Sequence, residues 1–367
     1  MHVLITADTV GGVWTYTREL VSALIRKGHR ITLVSFGKLP CTTQIAWMQG
    51  LPRLDYRPTP YALEWMQDSA EDIKLSVKYV QEVIAEVRPD LLHFNQYAYG
   101  AIETSLPKIV VAHSDVVSWW IGVKREEPPS TDWMKWYRET VCTGLAGADV
   151  VISPSQWMMG NVTKYYLQPV RGQVIYNGRD PALFDPNTQK KKQVLSIGRL
   201  WDEAKQVSLL TKRLQELPVL IVGSREHPDK VLSAEGLEST APGVTFCEQQ
   251  SEQQISKLFA EASIYAACSC YEPFGLALVE AALSRCALIA NDILSLRELW
   301  GDAAYYFSTN DAGSLAEAIR RLGSDGELCQ AYAQRAYQHA QRNFTSDQMI
   351  RVYEQLYGAL VAQEAAA

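Results

Sequence analysis

Two carboxylates, Glu272 and Glu280, stand eight positions apart in the segment EPFGLALVE, directly behind the apolar run ASIYAACSCY. Pro273 and Gly275 lie between them and mark a junction of loop and helix. If every step were helical, a rise of about 1.5 Å per residue would part the two backbones by about 12 Å. Acids that together cleave one glycosidic bond stand roughly 5–9.5 Å apart. The spacing suits the two ends of an elongated ligand better than the two sides of one bond.

The residues between the acids sharpen this. Proline fits the first helical position, where its missing N–H would have had no partner. With Pro273 there, the N–H groups of Phe274, Gly275 and Leu276 open from a helix start, which carries partial positive charge and suits a phosphate. Gly275 has no Cβ and lets a ligand come close to the backbone. Carboxylate, anion cradle and carboxylate match the polarity of a nucleotide sugar. An ordinary helix with one capping acid and one solvent-facing glutamate would use the same residues, and the segment alone leaves both open.

Other candidates lie at strand ends. Gly11-Gly12 follows the first apolar strand and precedes a helix, without the full G-x-G-x-x-G pattern of a dinucleotide site. Its amides can face a phosphate or a reacting sugar, or simply make a turn. Arg199 and Lys205 follow a strand ending in Gly198 and could neutralise a leaving diphosphate; they could equally be surface cations. His113 ends the run KIVVAH and is followed by Ser114 and Asp115. A single histidine there is a structural residue or a ligand contact. The sequence has no DxD triplet, which favours a reaction without a metal.

These residues need parallel α/β sheets to position them. Short apolar strands alternate with helical patterns: residues 2–7, 31–36, 90–94, 108–113 and 149–154, then 193–198, 218–223, 244–248, 263–269 and 286–291. Trp14 to Arg26 has apolar residues at helical spacing. So does 347–362, where Met349, Ile350, Tyr353, Leu356, Tyr357 and Leu360 share a face. A chain of 367 residues exceeds what one core serves. A hinge is expected near 171–190, a polar stretch running into three lysines.

Taken together, the motifs resemble those of the retaining glycosyltransferase family 4, whose fold is the two-domain GT-B type. The E-x7-E pattern is similar to its signature. TVGGVWTYTRELVSALIRKGHRITLVS resembles its opening strand, glycine loop and first helix, VVAHSD its central histidine segment, and VISPSQWM its serine-containing stretch. VIYNGRD resembles its interdomain hinge and SIGRLWDEAK its diphosphate-binding segment. The matches run in family order from Val3 to about Leu299. One departure is the loop between Arg199 and Lys205, which has five residues where the family usually has four, with Gln206 replacing a common glycine.

The resemblance implies an α/β GT-B fold with two Rossmann-like domains facing an interdomain cleft. An acceptor-binding domain would span 1–175 and a donor-binding domain 176–345, with a C-terminal helix, 346–367, crossing back onto the first. It implies that Gly12 lies beside the donor diphosphate, that Arg199 and Lys205 hold its charge, and that His113 reaches the sugar near the reacting carbon. Glu272 would contact hydroxyls of the transferred sugar and Glu280 the ribose, with the backbone of Phe274, Gly275 and Leu276 at the phosphates. The implied reaction is transfer of a hexose from a UDP- or GDP-linked donor to an acceptor hydroxyl, with retention and no metal or other cofactor. The acceptor class is a glycan, a lipid-linked sugar or a small molecule. A catalytically silent nucleotide-sugar-binding subunit and a GT-B phosphorylase or epimerase are the alternatives.

Composition bounds the partners. A net charge of −6 argues against nucleic acid as the main partner. The seven scattered cysteines read as reduced thiols of a cytoplasmic protein. No apolar stretch nears the roughly 20 residues of a membrane span, and the first strand leaves no room for a signal peptide. Attachment at the inner membrane surface stays an alternative, because Lys124–Arg138 mixes charges with aromatics as a mobile acceptor loop or a headgroup contact would. The chain has ten tryptophans, and Trp47, Trp65, Trp119, Trp120, Trp133 and Trp136 all precede the hinge. They read as core or as an acceptor-sugar platform. The sequence gives no oligomeric state.

Overall fold

The computed structural model describes residues 1–225 and 242–365. The chain divides into two compact units, one of Met1–Asn177 with Ser346–Ala367 and one of Gly178–Thr345.

The first unit is built on seven parallel strands: β1 (His2–Asp8), β2 (Arg30–Phe36), β3 (Leu54–Pro58), β4 (Leu91–Phe94), β5 (Lys108–Val111), β6 (Val150–Ser153) and β7 (Gly172–Val174). Their order is β3-β2-β1-β4-β5-β6-β7. Helices α1 (Gly12–Arg26), α2 (Thr42–Ile45), α3 (Ala70–Val87), α4 (Val116–Lys124), α5 (Asp132–Ala146) and α6 (Gln156–Tyr165) connect them. Leu4, Val34, Leu92, Val110 and Val151 are buried together on these strands. Strands covered on both faces read as unbroken apolar runs, which is why they are legible in sequence. Truncating Leu4 or Leu92 to alanine would cost about 2–5 kcal/mol. Asp115, Thr131 and Ser155 start α4, α5 and α6 by accepting the N–H of Ser118, Met134 and Met158. The C-terminal helix, Ser346–Ala365, packs on α1. Met349, Ile350, Tyr353, Leu356, Tyr357 and Leu360 are all buried, so the face predicted from spacing is the face that packs.

The second unit carries β8 (Lys191–Ile197), β9 (Val219–Val222), β10 (Val244–Cys247), β11 (Ala262–Ala267), β12 (Ala287–Asn291) and β13 (Tyr305–Phe307). These are parallel in the order β10-β9-β8-β11-β12-β13. Its helices are α7 (Glu252–Glu261), α8 (Leu276–Leu283), α9 (Leu294–Trp300), α10 (Ala312–Ser324) and α11 (Gly326–Asn343). Ser251 and Gln254 start α7 with a reciprocal capping box. Val194, Ile221, Ile264 and Ile289 make the centre of its core.

Three strands escape the sequence reading. β3 ends in Pro58 and sits at a sheet edge, β7 falls within the expected hinge, and β13 has only three residues. The segment Lys124–Arg138 is not one mobile loop. It consists of the last residue of α4, a short connection and the first half of α5. Trp133 stacks on Tyr137 and donates its indole N–H to the Met66 carbonyl at 3.0 Å. All seven cysteines are unbridged. Among the described residues no helix is long and apolar enough to cross a membrane.

Candidate active site

Each sheet has one place where the strand order reverses, between β1 and β4 in the first and between β8 and β11 in the second. Loops leaving the carboxyl ends of strands diverge there and leave a crevice, the usual ligand position in open parallel sheets. The candidate residues gather at these two points. Gly12 follows β1 and His113 follows β5, next to β4 in the first sheet. Arg199 and Lys205 follow β8, and Glu272 follows β11.

Because β8 and β11 are neighbours, their loops meet. Lys205 Nζ lies 2.6 Å from Glu272 Oε2, which also accepts from the Ser269 hydroxyl at 2.9 Å. The Cys270 N–H donates to the Ala204 carbonyl at 2.9 Å, fastening one loop to the other. Arg199 pairs with Asp202 at 2.7 Å and stands over the Trp201 ring at 5.2 Å. Asp202 also accepts the Ala204 N–H and so starts the short turn that carries Lys205. Burial alone would raise the Asp202 carboxyl, but Arg199 and Lys205 outweigh it and hold the group below its usual range. The longer loop between Arg199 and Lys205 thus has a physical account: Asp202 is both its cap and its counter-charge.

The helix start differs from expectation. α8 begins at Leu276, and Gly275 is its capping residue with φ 86°. Pro273 and Phe274 precede the helix instead of opening it. The left-handed turn at Gly275 must come first, so the N-terminal amides of the helix start at Leu276. A Cβ on Gly275 would stand 2.6 Å from Leu278 Cδ1 and 3.1 Å from Glu272 Cγ. Glycine is therefore required both by the backbone and by the close approach of Glu272. The Phe274 ring is buried edge-on against Phe344, centroids 5.3 Å apart, so this residue offers a ligand only its backbone.

Glu280 lies one turn further along α8, beside Arg179, with Nε to Oε1 at 2.9 Å. Arg179 is only 2 % exposed and also reaches Glu252 at 3.2 Å. A guanidinium so deeply buried needs carboxylate partners, and two are in place. Asn291, the last residue of β12, is fully buried. It spends its amide on the Cys268 and Ser269 carbonyls and on Asn310. It holds the β11 loop from beneath.

In the first unit Gly11 caps α1 with φ 71°, and Gly12 is the exposed first residue of the helix. His113 lies two residues beyond the end of β5. Its Nε2 is 2.8 Å from Asn95 Oδ1, and its ring meets Tyr16 edge-on at 4.6 Å. Packing around the ring, with His93 adding to it, holds the imidazole well below its ordinary value although the residue stays partly exposed, so it is neutral at pH 7. Beneath it runs a buried polar network. Tyr16 bonds Tyr353 at 2.6 Å and His93 Nε2 at 3.3 Å, while His93 Nδ1 meets the Tyr357 hydroxyl at 2.7 Å.

The structure thus brings Arg199, Lys205, Glu272 and Gly275 together around the ends of β8 and β11, with Glu280 further along α8. Arg179, Asp202, Ser269 and Asn95 were missed in the sequence. Asp202 lies in the one loop whose length departs from the family pattern, which was the available signal. Arg179 stands 101 positions before Glu280, and no local pattern joins the two. Among the described residues no group of three or more histidine, cysteine or carboxylate side chains could hold a metal ion.

Comparison with known proteins agrees with this architecture. Residues 10–183 match the family model described as "Glycosyltransferase Family 4", and residues 181–339 match "Glycosyl transferases group 1". A phosphatidyl-myo-inositol mannosyltransferase of Mycolicibacterium smegmatis is 23 % identical, covering 96 % of this chain and 92 % of its own. An alpha-maltose-1-phosphate synthase of Mycobacterium tuberculosis is 24 % identical, covering 89 % and 94 %. Among solved structures, a sucrose-phosphate synthase from Thermosynechococcus elongatus superposes with a TM-score of 0.81 at 19 % identity, over 99 % of this chain and all of that one. Anabaena HepE, solved in complex with UDP and glucose, gives 0.74 at 17 % over 98 % and 100 %. The fold is GT-B. With two family models spanning residues 10–339 between them, the chain belongs to glycosyltransferase family 4.

Proposed function

We propose that this glycosyltransferase moves a hexose from a nucleoside diphosphate to an acceptor hydroxyl, with retention at the anomeric carbon and without a metal. The observation that carries the reading is the meeting of Glu272, Lys205 and Arg199 beside Gly275 and the start of α8. In the resting site each cation has an acid, Lys205 with Glu272 and Arg199 with Asp202. A diphosphate offers both cations a stronger anion and leaves Glu272 able to accept hydroxyl hydrogens of the sugar. Glu280 takes the ribose hydroxyls. Amides of Gly12, Gly275 and Leu276 receive phosphate oxygens, and His113 contacts the sugar near its reacting carbon.

In the reaction, the bond from the anomeric carbon to the diphosphate oxygen breaks as the bond to the acceptor oxygen forms on the same face. The acceptor proton passes to the departing phosphate. Arg199 and Lys205 stabilise the charge that grows there, the role a metal plays elsewhere. HepE, solved with UDP and with UDP-glucose, supports a sugar nucleotide as donor, and the mannosyltransferase relative supports transfer of a hexose. The acceptor is a glycan, a lipid-linked sugar or a small molecule. The test is a panel of UDP- and GDP-hexoses, with nucleotide release followed with and without acceptors. Release from one donor, rising with an acceptor, is the expected result. Tight binding without release would identify a silent subunit, and free sugar phosphate or an epimerised donor a different chemistry; any of these refutes transfer.

A further inference from the structure

Asn95 does more than brace a loop. It follows β4 at the reversal point of the first sheet and is 8 % exposed. Its backbone N–H donates to the Thr6 hydroxyl at 3.0 Å, and its side-chain Nδ2 donates to the Thr6 carbonyl at 2.7 Å. A carbonyl oxygen only accepts, so the amide cannot be turned over without setting two oxygens against each other. Asn95 Oδ1 must therefore face His113, where it meets Nε2 at 2.8 Å. That oxygen also only accepts, so Nε2 must carry the hydrogen. In a neutral imidazole Nδ1 is then bare.

We propose that Asn95 is a positioning residue that locks His113 as the Nε2–H tautomer, so that Nδ1 serves as a hydrogen-bond acceptor for a hydroxyl of the transferred sugar. The ligand half of this rests on the function proposed above; the tautomer half does not. Burial leaves the ring uncharged: Tyr16 from α1 approaches edge-on and keeps water away, and His93 from β4, itself buried and held down to about 3, adds to the effect. A charged ring would have no lone pair to offer, so His113 acts here neither as an acid nor as a cation beside the diphosphate.

The test uses the full chain with 15N-labelled histidine. Six histidines are few enough for the imidazole nitrogens to be resolved and His113 assigned with a His113→Gln variant. The wild-type ring is expected to show a protonated Nε2 and a bare Nδ1, unchanged through the ordinary titration point of about 6.5. Asn95→Asp puts a carboxylate against Nε2–H and should bring the titration into the measured range. The kcat profile then gains an acid limb, with activity lost as the ring charges. Asn95→Ala should mix the tautomers and lower kcat by about 10- to 100-fold, more than it changes KM. A wild-type ring protonated on Nδ1, or one titrating near its ordinary value, would overturn the proposal. So would an Asn95→Asp profile that overlays the wild type. If Asn95→Ala does not fold, the wild-type spectrum and the Asp variant still decide. The spectra need no donor. A wild type inactive with every sugar nucleotide would refute the function and the ligand assignment while leaving the tautomer result to stand or fall separately.

Discussion

Replacing Gly275 by alanine tests the helix start that the site is built on. At φ 86° an L-residue costs roughly 1–2 kcal/mol relative to the right-handed region. The new methyl would stand 2.6 Å from Leu278 Cδ1, and Leu278 is buried, so its side chain must leave its rotamer for about 0.5–1.5 kcal/mol. Alanine restricts the unfolded chain and returns about 0.4–1 kcal/mol. The net expectation is a loss of about 1–3 kcal/mol in stability. The functional loss should be larger, because the methyl also presses on Glu272 Cγ at 3.1 Å. Displacing that carboxylate by about 1 Å would cost roughly 100-fold in turnover. Gly358→Ala is the matched control: it lies exposed in the C-terminal helix, meets nothing within 4 Å, and should gain about 0.5–1 kcal/mol. Thermal unfolding and donor turnover on both variants give the answer. A Gly275→Ala protein as stable and as active as the wild type would refute the argument.

Glu280→Ala should weaken binding of UDP or GDP, while Glu272→Ala should leave nucleotide affinity nearly intact and impair transfer; calorimetry and turnover giving the reverse pattern would exchange their roles. The proposed role of Arg199 and Lys205 in carrying the leaving-group charge predicts that activity persists in excess EDTA, and loss restored by a divalent ion would contradict this. Glu64 gives a pH signature. Its buried carboxylate accepts the Tyr97 and Ala98 N–H groups at 2.9 and 2.8 Å, yet burial pushes it up to about 7, with Asp8 adding to the shift. A carboxyl raised on folding favours the folded state only where it is protonated. Wild-type stability should therefore fall as pH rises from about 4.5 to 7, by up to roughly 3 kcal/mol. Urea unfolding compared with Glu64→Gln should isolate this slope; equal slopes in the two proteins would exclude it.

The central strands were legible because each is a short apolar run ending at a loop with a glycine, a proline or a polar residue, as at Gly198 and Asn95. The edge strands Leu54–Pro58 and Tyr305–Phe307 were not, since they lack that pattern, whereas the edge strand Val244–Cys247 has it and was read. The acids and cations were legible by type and motif. The start of α8 was misjudged because proline is favoured at a first helical position, and that preference competed with the left-handed turn that only Gly275 could make. What holds each functional group in place was not legible. The pairs Arg179–Glu280 and Asn95–His113 depend on which strands are neighbours, and neighbourhood is a property of the sheet rather than of any segment.

The buried hydroxyls of Tyr353 and Tyr357 have a consequence for how the chain is made. Tyr16 and His93 precede the second unit along the chain, but their partners follow the whole of it. Until then Tyr16 and His93 have each other at 3.3 Å, but each lacks the tyrosine hydroxyl that completes its bonding, a deficit of about 1–3 kcal/mol apiece wherever the site is already closed to water. The unit that begins first along the chain is thus the one that closes last, and a chain cut after Thr345 would carry every residue of the second unit and lack the helix that completes the first.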